Sequence, residues 1–231
     1  MTTGPHIGVL MLDTAFPRIL GDAGNVDSYP CPAVLHRVAG AEARRVVRPG
    51  QPDVDLLPPF LAAARTLEEG GAVGLVSTCG FLVHFQGDIA RAVGIPVILS
   101  ALSLCPLVQG MTGGRPVGIL TASAASLTQG GLAAAGIAPQ DAHVAGLEDC
   151  PAFALAILSP DPTPLEQFDS QAIAAAAVAR ARALIDHTPE IGAILLECGN
   201  LPPYTQAIAQ ATGRPVFSIL DAARLLWRDG I

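Results

Sequence analysis

Cys79, in Ser77-Thr78-Cys79-Gly80-Phe81, and Cys198, in Glu197-Cys198-Gly199-Asn200, each close an apolar run. Gly74 to Thr78 leads into the first and Gly192 to Glu197 into the second. Each cysteine is followed 17 residues later by a proline that opens another apolar run, Pro96 and Pro215 (96 − 79 and 215 − 198). Gly94 and Gly213 stand two positions before those prolines. Two halves of the chain therefore carry one unit: strand, Cys, helix, Gly-x-Pro, strand. A cysteine at a strand-to-helix turn sits at a helix N-terminus, where the dipole and free N–H groups favour the thiolate and can also hold a carboxylate. One thiolate can remove a proton from the carbon beside that carboxylate. A thiol on the opposite wall can return a proton to the other face. The stereocentre inverts with no cofactor and no metal. Because such a C–H is weakly acidic, the enediolate needs preorganised donors. Thr78, Thr121, Ser123 and Asn200 stand at loop positions suited to donate, and the backbone of Gly80 and Gly199 flanks the two sulfurs.

An isolated cysteine is usually a small buried hydrophobe. Cys31, Cys105 and Cys150 have no matched partner and read that way; the repeated spacing sets Cys79 and Cys198 apart. His84, on the helix expected after Cys79, is either a packed histidine or a proton partner of the thiolate. Glu197 alternates away from Cys198 along its strand and reads as a core or supporting residue. Tyr29 serves as a loop-packing residue or a substrate contact. Asp13 ends the first strand, where α/β folds place ligands.

The elements that must hold these residues follow from the pattern. Residues 7–12 form a first strand, and residues 16–32, rich in Gly, Pro, Asp and Asn, form a long loop. Loops of that length inside a compact domain are usually functional. Residues 35–47 read as extended and residues 60–69 as a helix, with Leu61, Ala64 and Leu67 in helical period and Gly70-Gly71 as the stop. A helix is expected over 81–93, a strand over 95–101 and a helix near 104–111. Past Gly113-Gly114, Pro116 to Thr121 mirrors His6 to Met11, and the second half begins. A helix over 123–135, a strand over 142–147, a helix over 170–187 capped by Asp169 or Ser170, a helix over 204–211, a strand over 215–220 and a helix over 222–228 complete it. Alternating strands and helices argue a parallel sheet in each half. The fold class is α/β: two pseudo-symmetric halves, each with a mostly parallel sheet, whose strand ends face each other across a cleft where Cys79 and Cys198 would meet.

Composition narrows the function. The 231 residues are 51% hydrophobic and 14% charged, enough for two real cores. A net charge of −7 argues against nucleic acid as a partner. All 13 basic residues are Arg, so a pyridoxal Schiff base and a Walker A loop are both excluded. No Cys-x-x-Cys occurs, which disfavours a zinc ribbon. No apolar run reaches 18 residues, so a membrane span is not expected, and the N-terminus reads as a strand rather than a signal peptide. Unpaired thiols suit a reducing cytoplasm. The partner is a small-molecule substrate.

Taken together, the two Cys motifs, the Gly118 strand ending at Thr121, the Gly213-x-Pro215 strand and Glu197-Cys198 followed by Leu201-Pro202-Pro203-Tyr204 resemble the aspartate/glutamate/hydantoin racemase superfamily. The resemblance implies two Rossmann-like subdomains with the active site in the cleft between them, residues 1–105 plus 213–231 holding Cys79 and residues 106–212 holding Cys198. It also implies cofactor-free catalysis through those two cysteines, and often a homo-oligomer. Gly80-Phe81 and Gly199 replace residues that hold an amino-acid head group in the amino-acid racemases, and Phe81 suits an apolar substituent. Cys79-Gly80-Phe81, Phe85-Gln86, Leu12-Asp13, Ser28-Tyr29, Glu148-Asp149-x-Pro151-x-Phe153 and Leu195-Leu196-Glu197-Cys198 are similar to the algal dimethylsulfoniopropionate lyases within it. That branch implies the same first step, removal of an α-proton by Cys198, followed by loss of the β-sulfonium. Racemisation leads, elimination is the alternative, and a two-lobed binding domain with packing thiols is the non-enzymic reading.

Overall fold

The structure, a computed structural model, describes residues 4–159 and 164–228. Its strands are β1 (His6–Met11), β2 (Ala33–Arg37), β3 (Ala72–Ser77), β4 (Val97–Ile98), β5 (Val117–Thr121), β6 (Ala142–Gly146), β7 (Ala193–Leu196) and β8 (Val216–Phe217). They form two sheets of four, ordered β2-β1-β3-β4 and β6-β5-β7-β8, and every pairing is parallel. The two orders are the same relative to the start of each sheet, so the repeat in the sequence is a repeat in topology. Central strands β1, β3, β5 and β7 are almost wholly buried, and this is why their sequences are continuous apolar runs rather than alternating ones.

The helices are α1 (Ala43–Val46), α2 (Leu57–Glu69), α3 (Gln86–Ala92), α4 (Cys105–Met111), α5 (Gln129–Ala134), α6 (Pro151–Phe153), α7 (Ser170–His187), α8 (Thr205–Thr212) and α9 (Ile219–Leu226). Pro58 and Pro59 occupy the first turn of α2, whose missing N–H groups cost nothing there, and start it three residues earlier than the period alone suggests. Phe60, Ala63, Ala64 and Leu67 form its buried stripe; a fully buried Phe or Leu contributes about 1.5–3 kcal/mol. Helix α7 runs over the span its pattern predicts, with the Asp169 side chain accepting from the Ala172 N–H (2.9 Å).

Four expectations are corrected. Residues 35–47 are not one extended stretch: β2 ends at Arg37, and the Gly40 turn, whose N–H is held by the Asp13 carboxylate (2.8 Å), sends the chain into α1. The stretch after Cys79 is a 3-10 helix, Gly80–Phe85, before α3 begins. The helix expected from Ser123 starts only at Gln129. The Ser123 hydroxyl takes the Ser126 N–H (3.2 Å) and pairs with the Ser126 hydroxyl, bonds that compete with a helical ladder. Finally, the subdomain boundary lies later than residue 213. Strand β8 pairs with β7 in the second sheet, and the chain returns to the first only at Ser218, which caps α9 in a reciprocal capping box with Asp221. Leu226 of α9 then packs over Gly74 of β3.

Candidate active site

Strands β3 and β7 end side by side, and the segments leaving them meet. Cys79 and Cys198 form an antiparallel bridge, the one place among the described residues where the extended backbones of the two halves pair. Residues opposite each other in an antiparallel pair send their side chains to the same face, so both thiols face one space. The bridge also explains the residue after each cysteine. A Cβ on Gly80 would lie 2.5 Å from the Glu197 carbonyl oxygen and overlap Glu197 Oε1. A Cβ on Gly199 would lie 2.9 Å from the Thr78 carbonyl carbon and overlap its oxygen. Gly80 sits over the residue before Cys198, and Gly199 over the residue before Cys79. These glycines are required by close approach, not by turn geometry.

The space the thiols face is a cavity of about 30 Å³, with room for no more than one or two waters. Its walls include Thr78, Cys79 and Phe81 from the first half and Glu197, Cys198 and Asn200 from the second. Leu12 and Thr14 close it from just past β1, Phe16 and Arg18 from the long loop, and Ile157 and Leu158 from a π-helical turn, Ala154–Leu158. Phe16, Thr14, Ala43, Ile157 and Leu158 also line an outer vestibule of about 330 Å³, rimmed by Asp13, Arg37, Glu42 and Arg44. These shared residues separate the vestibule from the space the thiols face.

Arg18 is the one cation among the described residues lining the inner cavity. It lies over the Phe16 ring (4.2 Å to the centroid) and donates to Asp22 Oδ1 (2.9 Å) and Thr14 Oγ1 (2.7 Å). Asp22 is buried; its second oxygen accepts from Asn200 Nδ2 (2.7 Å), and Asn200 Oδ1 accepts from the Cys198 Sγ–H (3.4 Å). A continuous chain of polar contacts thus runs from Arg18 through Asp22 and Asn200 to the second thiol. The Ala23 N–H to Gly199 carbonyl bond (2.9 Å) fastens the same loop to the same motif. Neither Arg18 nor Asp22 stands out in sequence, although Arg18 is the only basic residue of the loop.

Electrostatics reverse one expectation. Burial pushes both thiols well above the ordinary cysteine range, and the neighbouring Glu197 carboxylate pushes them further. The N–H of Phe81 on Cys79 and of Asn200 on Cys198 pull the other way, as does Arg18 on Cys79. Each sulfur does receive an N–H from two residues on, as the strand-to-helix argument requires, but desolvation outweighs it. Glu197 itself is pushed up to about 7 by burial, against the hydrogen bonds it accepts from Thr121 Oγ1 (2.7 Å) and the Ala122 N–H. A raised carboxyl favours the fold below its unfolded value, near 4.3, and that contribution is lost as pH rises through 7. Glu197→Gln is therefore expected to stabilise the protein at pH 8.5, on the order of 3 kcal/mol, and to bring no gain at pH 4. Denaturant titration of both proteins at the two pH values checks this.

The other expected site residues divide. Thr78 lines the cavity, its Oγ1 accepting from the Leu12 N–H (3.3 Å), and Phe81 lines it as a buried ring. Thr121 reaches the site through Glu197. Ser123 is held by Ser126 and lies outside the cavity walls. Asp13 is corrected: it pairs with Arg37 (2.6 Å) and caps Gly40 at the vestibule rim, away from the thiols. Tyr29 is corrected to a packing residue; its buried hydroxyl donates to the Ala23 carbonyl (2.7 Å) and braces the loop. His84 lies near Gly131 of α5 and outside the cavity walls, half-buried, with burial holding its imidazole below the usual histidine range. Among the described residues no cluster of His, Cys, Asp and Glu could hold a metal, and no helix is long and apolar enough to cross a membrane.

The model of the Asp/Glu/Hydantoin racemase family matches residues 23–225. This chain belongs to that family. Within it, a dimethylsulfoniopropionate lyase from Durusdinium sp. clade D is 29% identical over 224 residues, 94% of this chain and 72% of that protein. Dimethylsulfoniopropionate lyase 7 of Emiliania huxleyi is 30% identical over 225 residues, 94% of this chain and 65% of that protein. The racemase-family fold is also that of two solved structures. Allantoin racemase from Klebsiella pneumoniae superposes with a TM-score of 0.63 at 15% identity, covering 96% of this chain and 86% of that one. Unliganded arylmalonate decarboxylase superposes with a TM-score of 0.59 at 18% identity, covering 98% and 94%.

Proposed function

We propose that the protein is a cofactor-independent racemase or isomerase that removes and returns the α-proton of a small carboxylate, amino-acid or hydantoin-like substrate, with Cys79 and Cys198 as the acid–base pair. The observation that carries this reading is the antiparallel meeting of the two cysteines at one cavity, with a partly buried cation, Arg18, in its wall. In this reading a carboxylate displaces part of the Arg18–Thr14–Asp22 network and is held by the guanidinium. Its α-carbon then lies between the sulfurs. One sulfur takes the proton, and the Thr78 hydroxyl and the N–H groups of Phe81 and Asn200 face the charge that develops. The other sulfur delivers a proton to the opposite face.

A second reading rests on the relatives. Two proteins named dimethylsulfoniopropionate lyases match 94% of the chain at 29% and 30% identity. The same α-proton abstraction followed by departure of a β-sulfonium would give acrylate and dimethyl sulfide. Incubation with dimethylsulfoniopropionate, and separately with enantiopure aspartate, glutamate and a substituted hydantoin, distinguishes the two. Chiral chromatography showing loss of optical purity supports racemisation; dimethyl sulfide in the headspace replaces that reading with elimination.

Arg18 makes a sharper prediction. Charge-assisted hydrogen bonds contribute about 1.5–3 kcal/mol, so Arg18→Gln is expected to lower kcat/KM roughly 10- to 100-fold, mostly through KM. Arg18→Lys recovers little, because a point charge does not reproduce the guanidinium fork. Steady-state kinetics on the active substrate reads both.

A further inference from the structure

Glu197 has no role in the two-thiol scheme as usually drawn, yet it is the most constrained polar side chain at this site. It is 1% exposed. Oε2 is held by Thr121, while Oε1 is fully buried and has no hydrogen-bond partner among the described residues. Gly80, with no Cβ, leaves the space in which Oε1 sits, and the carboxyl shares the walls of the water-sized cavity with both sulfurs. A buried acceptor left open costs free energy, so a native site retains one where another group is to use it.

We propose that Glu197 is the proton-holding residue of the thiol pair: at rest the one negative charge of the Cys79–Glu197–Cys198 cluster sits on its carboxylate, and a thiol becomes a base by handing its proton across the cavity to Oε1. The S–H bond breaks, an O–H bond forms, the electron pair stays on sulfur, and the net charge of the cluster does not change. This deepens the acid–base reading above and rests on it. Three acids in one desolvated cavity cannot all ionise together; they titrate as a unit, and the first charge goes to the member with the weakest hold on its proton. Burial holds the protons on both thiols, and a charged Glu197 holds them harder. The other charges facing the cluster do not alter this order. Arg18, from the loop, is paired to Asp22, and Asp22 raises Cys198. Tyr204, from the second half, is itself held protonated by burial. One thiolate facing one thiol is the arrangement that inversion needs, and a carboxyl between the halves can supply it to either side.

Two measurements that need no substrate test this. The infrared band of a protonated buried carboxyl, assigned by its loss in Glu197→Gln, is expected to disappear with a midpoint near pH 7 in the wild type. In Thr121→Val, which keeps the carboxyl but removes its hydroxyl donor and is expected to fold, the midpoint is expected to move upward. A midpoint in the ordinary carboxylate range overturns the proposal, even if the enzyme is active. Alkylation of Cys79 and Cys198 by iodoacetamide, read by mass spectrometry from pH 5.5 to 9.5, gives the second. In the wild type the rate is expected to rise tenfold per pH unit, bend near 7 and level off, because above the bend the share of thiolate with protonated Glu197 no longer grows. In Glu197→Gln the bend near 7 disappears and the rate continues to rise tenfold per unit. Superimposable profiles for the two proteins overturn the proposal. If neither thiol reacts, the infrared midpoint alone decides. An inactive protein with the midpoint at 7 would remove the enzymic reading and leave the shared-charge cluster standing.

Discussion

Replacing either Cys79 or Cys198 with Ser is expected to lower turnover by roughly 10³- to 10⁴-fold, the range over which positioned proton transfer accelerates reactions. Each substitution should do so alone, because each sulfur serves one face of the substrate. The losses should not add in the double variant, since the first already stops the cycle. Folding should survive. Ser removes one polarizable atom from a cavity of about 30 Å³ and introduces a hydroxyl that can use the same backbone N–H. Circular dichroism and thermal melting of each variant separate catalytic loss from collapse. Cys105 provides the control: it is a buried thiol pushed up to about 11 by burial, it does not line the cavity, and Cys105→Ala should leave kcat/KM within a few-fold of the wild type.

The second large effect comes from a single methyl group. Gly199→Ala places a Cβ against the Thr78 carbonyl, and Gly80→Ala places one against the carbonyl and carboxyl of Glu197. In each case backbone stands in the way, so the two segments must separate. Overpacking of this kind costs about 1–3 kcal/mol. The catalytic cost should be larger than that figure suggests. The bridge sets the separation of the sulfurs, and a displacement of about 1 Å can cost 10²-fold in rate. Either alanine variant is thus expected to fold with a lowered Tm and to lose roughly 100-fold in kcat. Gly110→Ala, in the last turn of α4 with nothing within 4 Å of the new Cβ, should instead stabilise by up to about 1 kcal/mol and leave kcat unchanged. If Gly199→Ala retained full kcat, the bridge would not set the catalytic geometry.

The repeat of Cys79 and Cys198 at equal distances from Pro96 and Pro215 was enough to place two strand ends together, because spacing and hydrophobic runs survive in the sequence unaltered. Gly80 and Gly199 stood out there too, but only as departures from a family pattern. Their reason is an approach between segments more than 100 residues apart, which no local pattern encodes. Glu197 reads in the sequence as a core or supporting residue, and it is buried with Thr121 on its carboxylate; that it also lines the cavity was not legible, because β7 ends at Leu196 and strand alternation does not reach it. Arg18 lay in a loop without periodicity, and its importance comes from burial against Phe16 and Asp22. Asp13, Tyr29 and His84 carry suitable chemistry but are engaged elsewhere. Polar residue type alone does not separate a substrate contact from a brace such as the Tyr29 hydroxyl on Ala23.

The central claim is that two thiols on one cavity exchange a proton at a substrate's α-carbon. Proton NMR in D₂O, with the wild type and the single variants Cys79→Ser and Cys198→Ser, tests it most directly on the panel of enantiopure aspartate, glutamate, a substituted hydantoin and dimethylsulfoniopropionate. The account predicts that the wild type erases the α-proton signal of one class, by deuterium incorporation or by elimination, and that neither variant does. Exchange continuing at the wild-type rate in either serine variant would contradict it.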